Sequence, residues 1–234
     1  MCMGGEDDEI GTFRRLINDV YPSGVVSIVS DSWDYWKVIT EYALELKPDI
    51  LTRKENALGL AKVVFRPDSG DPADILCGVE FIKITDLGYD GYYTVEEGNY
   101  GAVLYEGKYY TFETTYDYEY GEHWNNRVNL LEEIPEHLIK GSVEVLWDIF
   151  GGTINEKGYK ELTPRVGLIY GDSITLERAQ DILQRLEAKG FASSNVVFGI
   201  GSYTYQHVTR DSYGFAMKAT FGVVNGEDKV IFKN

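Results

Sequence analysis

Hydrophobic residues along the chain recur at two spacings, and the alternation between the two predicts helices and strands in turn. Residues 6–20 begin with acidic side chains and continue with apolar residues at helical spacing, so we predict a helix there. Helical spacing also predicts helices over 33–46 and 175–189, and it returns between Val143 and Phe150. Short β-branched or aromatic runs predict buried strands at 25–30, 63–65, 166–170, 196–198 and 215–224.

Two of these predicted helices have an apolar face that we expect to pack into a core. In the 33–46 helix the predicted inward residues are Trp36, Ile39, Ala43 and Leu44. In the 175–189 helix they are Leu176, Ala179, Leu183 and Leu186.

Residues 78–140 differ in character, because ten of the 18 tyrosines lie there and glycines interrupt the aromatic runs. Such runs are typical of β-hairpins. Elsewhere the alternation of strands and helices predicts parallel β/α units, and Asn225-Gly226 predicts a final hairpin returning through 230–232. We therefore predict an α/β fold in which 1–77 and 141–234 form a β/α domain. Residues 78–140 are then an inserted β-rich subdomain, which serves as a lid or packing module or, alternatively, as a partner-binding face.

The composition excludes several classes of protein. With 22 Lys and Arg against 38 Asp and Glu, the net charge of −16 repels nucleic acid and anionic membranes. The two cysteines, Cys2 and Cys77, provide no disulfide framework and indicate a reducing compartment. No apolar run is long enough to span a membrane, and the first residues do not resemble a signal peptide. We expect a cytoplasmic protein that binds neither nucleic acid nor membranes.

Polar or flexible residues follow four of the predicted strands. They form the segments Ser30–Asp34, Arg66–Pro72, Gly171–Ser173 and Gly199–Ser202. Taken singly, each aspartate or serine could cap a helix and each glycine or proline could turn the chain. The carboxyl ends of parallel strands, however, share one edge where functional residues collect. Taken together, the four segments predict a binding site for a sugar phosphate.

Each candidate residue suits part of such a ligand. Glycines in 199–202 let backbone N–H groups approach a phosphate, and a following helix start favours its charge. The guanidinium of Arg210 would add a charged hydrogen bond of about 1.5–3 kcal/mol, and Lys218, unless it is simply solvated, would neighbour the same pocket. The carboxylates that could bind ribose hydroxyls or stabilise positive charge are Asp34, Asp68 and Asp172. The three histidines are scattered without metal-ligand spacing.

These strand-end motifs resemble those of the nicotinamide phosphoribosyltransferases, a type II phosphoribosyltransferase family with a barrel-like fold. The motifs are Ser30-Asp31-Ser32-Trp33-Asp34, Arg66-Pro67-Asp68-Ser69-Gly70, Gly171-Asp172, Phe198-Gly199-Ile200-Gly201-Ser202 and Thr209-Arg210-Asp211. Their order and spacing agree with the family over 25–76 and 141–234, although Ser202 replaces the second of two paired glycines. The resemblance implies a partial (β/α) barrel around the predicted site.

The resemblance also implies a reaction and a set of residues. Nicotinamide would be joined to C1 of phosphoribosyl pyrophosphate, giving nicotinamide mononucleotide and diphosphate for NAD salvage, with Mg²⁺ on the diphosphate and ATP as a coupled co-substrate. Asp68 and Asp34 would be catalytic, and Arg66 would contact the nicotinamide amide. The further substrate-binding residues it implies are Ser30, Gly171, Asp172, Gly201, Ser202 and Arg210. Lys218 is added to them only for its predicted position beside the same pocket. The same resemblance implies a homodimer. These residues do not decide whether the base is nicotinamide or nicotinate.

By resemblance the chain corresponds to only part of the family pattern. It begins just after the Glu-His-Ser segment that carries a phosphorylated histidine, and Phe232-Lys233-Asn234 precedes a further expected segment. The scaffold outside 78–140 is also shorter than the roughly 250 residues of a closed β/α barrel. We therefore expect a fragment that is inactive alone or complemented by another chain. A phosphate-binding remnant without turnover, and a partner module that docks through 78–140, are the alternative hypotheses.

Overall fold

The computed structural model describes residues 5–87, 100–118, 124–171, 174–199, 210–214, 217, 219–224 and 226–230. The strands are β1 (Val26–Val29), β2 (Val63–Arg66), β3 (Phe81–Lys83), β4 (Tyr100–Tyr105), β5 (Lys108–Tyr118), β6 (Trp124–Ile134), β7 (Gly152–Ile154), β8 (Lys160–Leu162), β9 (Val166–Tyr170), β10 (Val196–Phe198), β11 (Phe221–Val224) and β12 (Glu227–Val230). The α-helices are α1 (Glu9–Arg15), α2 (Tyr35–Lys37), α3 (Ala43–Glu45), α4 (Lys47–Leu51), α5 (Pro72–Cys77), α6 (Glu136–Phe150) and α7 (Leu176–Ala188). Within the described ranges, none of these helices combines the length and the apolar character needed to cross a bilayer.

A parallel sheet of four strands, in the order β1-β2-β9-β10, forms the centre of the fold. Val26 pairs with Val63, Val63 with Val166, and Val196 with Leu168. The predicted α/β class and its parallel strands are therefore confirmed. The sheet is open over the described strands, and the complete barrel stays a prediction.

One face of this sheet is buried beneath helices. The alternate residues Val26, Ile28, Val63, Phe65, Leu168 and Tyr170 are all buried, as expected because successive side chains of a strand point to opposite faces. Phe13 of α1 packs on this face, with its ring centroid 6.4 Å from that of Phe65. The opposite face carries the exposed Ser27 and Val197.

Two π-helical turns, Leu16–Val20 and Val38–Tyr42, interrupt the helices on this face. The prediction that Leu44 faces the core is wrong, because the buried residues Ile39, Ala43 and Leu46 recur at the i, i+4, i+7 spacing of one helical face and Leu44 lies off that face. Leu44 is 59% exposed, whereas Leu46 is fully buried.

The predicted inward face of the 175–189 helix is also partly wrong. Leu176 is 82% exposed and Leu183 is 39% exposed. The buried stripe is instead formed by Ile182 and Leu186, with Ala179 packed against the core. These three residues share one helical face, and α7 packs against α5.

A second sheet, in the order β3-β4-β5-β6, occupies much of the described part of 78–140. Tyr105 pairs with Lys108 across a two-residue turn in which Glu106 and Gly107 both have positive φ, as in a type I′ hairpin. Helix α6 begins at Glu136, within the predicted 78–140 range. That 78–140 is one inserted subdomain stays a prediction.

The final predicted hairpin is present, with Phe221 paired to Val230 and a positive φ at Gly226. Within the described residues β11 begins at Phe221, so Met217, Ala219 and Thr220 do not belong to the predicted strand. The predicted start at Phe215 and the return through Ile231 and Phe232 lie outside the described residues.

Candidate active site

The carboxyl ends of β1, β2, β9 and β10 lie side by side along one edge of the parallel sheet, which we call the rim. The backbone N–H of Ser30 donates to the Arg66 carbonyl oxygen at 3.0 Å, and that of Gly199 donates to the Tyr170 carbonyl oxygen at 2.8 Å. Strands β2 and β9 are joined by the pairing of Phe65 with Leu168. The structure thus brings together the described ends of all four predicted segments.

Ser30 is fully buried and joins two strand ends. Its hydroxyl donates to the Ile28 carbonyl oxygen at 2.9 Å and accepts the Arg66 backbone N–H at 3.2 Å. These bonds give Ser30 a structural role at the rim. Its predicted contact with substrate stays a prediction.

Asp31 is the carboxylate that holds the Arg66–Gly70 loop, and the sequence analysis did not single it out. Its Oδ2 accepts the backbone N–H of Asp68 at 2.9 Å and the hydroxyl of Ser69 at 2.5 Å. The signal available in the sequence was its position directly after a predicted strand. From the other side, the Tyr170 hydroxyl donates to the Gly70 carbonyl oxygen at 2.9 Å.

Asp34 is exposed and caps α2, where its Oδ1 accepts the backbone N–H of Lys37 at 3.0 Å. The capping alternative from the sequence is therefore seen in the structure, and its catalytic role stays a prediction. Because Asp34 carries negative charge at this edge, it opposes ionisation of Glu9 and partly offsets the lowering of the His137 pKa that burial causes.

Glu9 is a second residue that the sequence analysis missed, because it was read as part of an acidic first turn. Its side chain is only 3% exposed, and its Oε1 accepts no hydrogen bond within the described structure. Burial first, and then the charge of Asp34, raise the pKa of Glu9 to about 7.

Arg66 and Asp68 present unlike groups at the rim. Arg66 is half-buried, and its buried Nε–H has no acceptor in the part of the chain that the structure describes. The same holds for the indole N–H of Trp33. Asp68 is exposed while its backbone is held by Asp31. The rim therefore offers buried donors beside an accessible carboxylate, as a ligand with both acceptors and hydroxyls requires.

The loops after β9 and β10 approach each other through two glycines. A Cβ at Gly199 would lie 2.7 Å from the Gly171 Cα, which is too close for any side chain. This contact fixes the start of the predicted phosphate loop. Predicted residues Asp172, Gly201, Ser202 and Lys218 lie outside the described residues, as does the side chain of Arg210, whose backbone begins the 3₁₀ turn Arg210–Tyr213.

The described residues show no metal cluster at the rim, and one cavity lies away from it. Among the described side chains, no group of three or more His, Cys, Asp or Glu could hold a metal ion. A cavity of about 570 Å³ lies near the amino-terminal ends of β9 and β10, where Tyr159, Glu187 and Ser194 contribute to its lining. It contains none of the predicted site residues.

Comparison with known proteins agrees with these motifs. The model of the nicotinate phosphoribosyltransferase (NAPRTase) family matches residues 1–234. A protein from Acinetobacter baylyi named nicotinamide phosphoribosyltransferase is 51% identical over all of this chain and 36% of its own length. A protein of the same name from Mycoplasma pneumoniae is 33% identical over 94% of this chain and 36% of its own length. This chain thus spans about a third of these curated relatives, and it belongs to the nicotinate phosphoribosyltransferase family.

Proposed function

We propose that this chain forms part of a nicotinamide phosphoribosyltransferase. The observation that carries the proposal is the gathering of the Arg66–Gly70 loop, Gly171 and Gly199 at one rim. The names of relatives up to 51% identical support this choice of reaction. Because the chain spans only about a third of those relatives, the activity is proposed for the whole protein.

In the proposed reaction the ring nitrogen of nicotinamide forms a bond to C1 of the ribose, and the bond from C1 to the diphosphate oxygen breaks. Positive charge develops on the sugar as this bond lengthens. The exposed carboxylate of Asp68 would stabilise that charge. The Nε–H of Arg66 would donate to the carboxamide oxygen of the base. That oxygen would be the acceptor that the Nε–H lacks among the described residues.

Phosphate groups would be held on the β10 side of the rim. Backbone N–H groups after Gly199, together with Gly201, Ser202 and Arg210, are proposed to bind the phosphate of the product. Asp34 and Asp172 are proposed to hold ribose hydroxyls or the diphosphate, and Ser30, Gly171 and Lys218 to line the same site.

Magnesium would enter with the diphosphate. Mg²⁺ keeps several waters and is usually bound by one or two carboxylates together with substrate phosphates. The exposed carboxylate of Asp68 suits this arrangement without a protein cluster of three ligands. We also propose ATP as a coupled co-substrate, a homodimeric assembly and a cytoplasmic location, on the resemblance and composition alone.

The proposal is tested with the full-length protein, phosphoribosyl pyrophosphate and either base. We expect nicotinamide mononucleotide as product. Faster turnover of nicotinate would instead indicate a nicotinate phosphoribosyltransferase, and calorimetric binding of nicotinamide mononucleotide without turnover would indicate a non-catalytic remnant.

The variant Arg210→Ala tests the phosphate contact separately. Loss of one charged hydrogen bond, about 1.5–3 kcal/mol, should raise the KM for phosphoribosyl pyrophosphate by about 10- to 100-fold. The KM for nicotinamide should change far less. Equal increases for both substrates would contradict the assigned contact.

A further inference from the structure

We propose that Tyr170 is a positioning residue whose hydroxyl fixes the Arg66–Gly70 loop and, through it, Asp68 and Arg66. The inference rests on the proposed function for the identity of the substrate. It does not rest on that function for the contacts, which are all present in the structure.

Hydrogen bonds hold the loop at its entry, in its middle and at its end. At its entry, Arg66 forms two hydrogen bonds with Ser30. In its middle, Asp68 and Ser69 donate to Asp31. Beyond its end, the carboxylate of Asp71 accepts the backbone N–H groups of Ala73 and Asp74 at the start of α5. The Gly70 carbonyl oxygen, bound by Tyr170, is the link between the middle and the end.

Tyr170 reaches that carbonyl oxygen from a fixed position in the core. It is the last residue of β9, only 1% exposed, and its ring lies in the main hydrophobic core. A buried phenolic hydroxyl needs a hydrogen-bond partner. The core therefore holds the ring in place. The hydroxyl, fixed by the ring, in turn restrains the loop that follows the neighbouring strand β2.

Gly70 is the point in the loop where such a restraint matters most. Its φ is +86°, a left-handed conformation that glycine adopts without strain but also leaves easily. A hydrogen bond to its carbonyl oxygen limits rotation at this residue. Without it, the backbone between Asp68 and α5 has one fewer restraint, and the Asp68 carboxylate can move relative to Arg66.

Transition-state stabilisation depends on that relative position more than substrate binding does. A displacement of about 1 Å of a catalytic group can reduce the rate by about 100-fold. Tyr170→Phe keeps the ring in the core and removes only the hydroxyl. We expect about a tenfold lower kcat, the equivalent of one neutral hydrogen bond, with little change in the KM for nicotinamide.

The experiment compares Tyr170→Phe with Tyr159→Phe in the full-length protein. Tyr159 also uses its hydroxyl in one hydrogen bond, to Glu187 at 3.0 Å, but beside the cavity away from the rim. Tyr159→Phe should leave kcat unchanged. Hydrogen exchange of the backbone amides of Asp68, Ser69 and Gly70 should be faster in Tyr170→Phe and unchanged in Tyr159→Phe.

The variant Ser69→Ala adds a double-mutant cycle. Ser69 and Tyr170 restrain the same loop from opposite sides, so the double variant should lose more activity than the two single variants predict together. Rate losses that simply multiply would overturn the idea of a shared restraint.

The outcomes separate this inference from the proposed function. If the wild-type protein shows no transfer with either base, the proposed function fails, and hydrogen exchange alone decides whether Tyr170 fixes the loop. Equal exchange in wild type and Tyr170→Phe overturns the inference. Faster exchange with unchanged kcat in an active enzyme overturns it as well, because the bond would then be merely structural.

Discussion

At the scale of single residues, Glu9 is the clearest case of a side chain whose surroundings change its chemistry. Its neighbours in sequence are acidic and exposed, yet its own carboxyl is buried with a pKa of about 7. Because this value lies above the ordinary 4.5, the folded chain holds the proton more tightly than the unfolded chain does. Stability should therefore fall as pH rises from about 4.5 to about 7 and then level off.

Glu9→Gln removes this titration while keeping the side-chain shape. The variant should be more stable than wild type at pH 8, by up to about 3 kcal/mol, and this gain should shrink towards pH 5. Urea unfolding at several pH values measures it. Glu6→Gln changes an exposed acid just before the same helix and serves as the control. Parallel pH profiles for wild type and Glu9→Gln would contradict the prediction.

At the scale of elements, the helical spacing that Leu46 shares with the buried Ile39 and Ala43 decides which leucine reaches the core. Leu46 is fully buried and Leu44 is 59% exposed. Leu46→Ala should cost about 2–5 kcal/mol of unfolding free energy, whereas Leu44→Ala should cost less than about 0.5 kcal/mol. Chemical denaturation of the two variants compares them directly. Similar losses would mean that Leu44 also packs against the core.

The contact between the β9 and β10 loops makes a second prediction at this scale. A Cβ at Gly199 would lie 2.7 Å from the Gly171 backbone, whereas one at Gly171 would lie 3.8 Å from Gly199. Gly199→Ala should therefore cost about 1–3 kcal/mol through overpacking, and Gly171→Ala less. Thermal unfolding of both variants tests this asymmetry, and equal losses would show that the loops can move apart.

At the scale of the whole molecule, α7 joins segments that are distant in the chain. Arg185 bonds Asp74 at 2.8 Å and Glu80 at 3.1 Å, and Lys189 donates to the carbonyl oxygens of Ile139 and Lys140, both at 2.8 Å. Both chain ends of 78–140 are thus held by cations, one from Arg185 of α7 and one from Lys189, which directly follows the helix. The glycines there, Gly78 and Gly141, pack so closely that a Cβ on either would overlap backbone atoms of the other segment.

This arrangement predicts unequal effects of two arginine substitutions. Arg185 is 18% exposed and bridges two segments, so Arg185→Ala should cost about 1–3 kcal/mol. Arg14, 42% exposed, pairs with the exposed Glu45, and Arg14→Ala should cost less than about 1 kcal/mol. Urea unfolding measures both losses of unfolding free energy. A larger loss for Arg14→Ala would contradict the role of Arg185 in holding the two segments together.

The sequence alone determined the strands of the parallel sheet and the rim at their carboxyl ends. Period and residue type are local properties, so β1, β2, β9 and β10 could be predicted from them. Only the tertiary structure decided which member of each motif does what. Asp34 caps its own helix, whereas Asp31 binds the loop that follows β2. Tyr170, at the end of β9, binds Gly70 in that same loop. The Asp34 cap is a local contact that the sequence could suggest, whereas Asp31 and Tyr170 bind residues 37 and 100 positions away, and no local pattern records those partners.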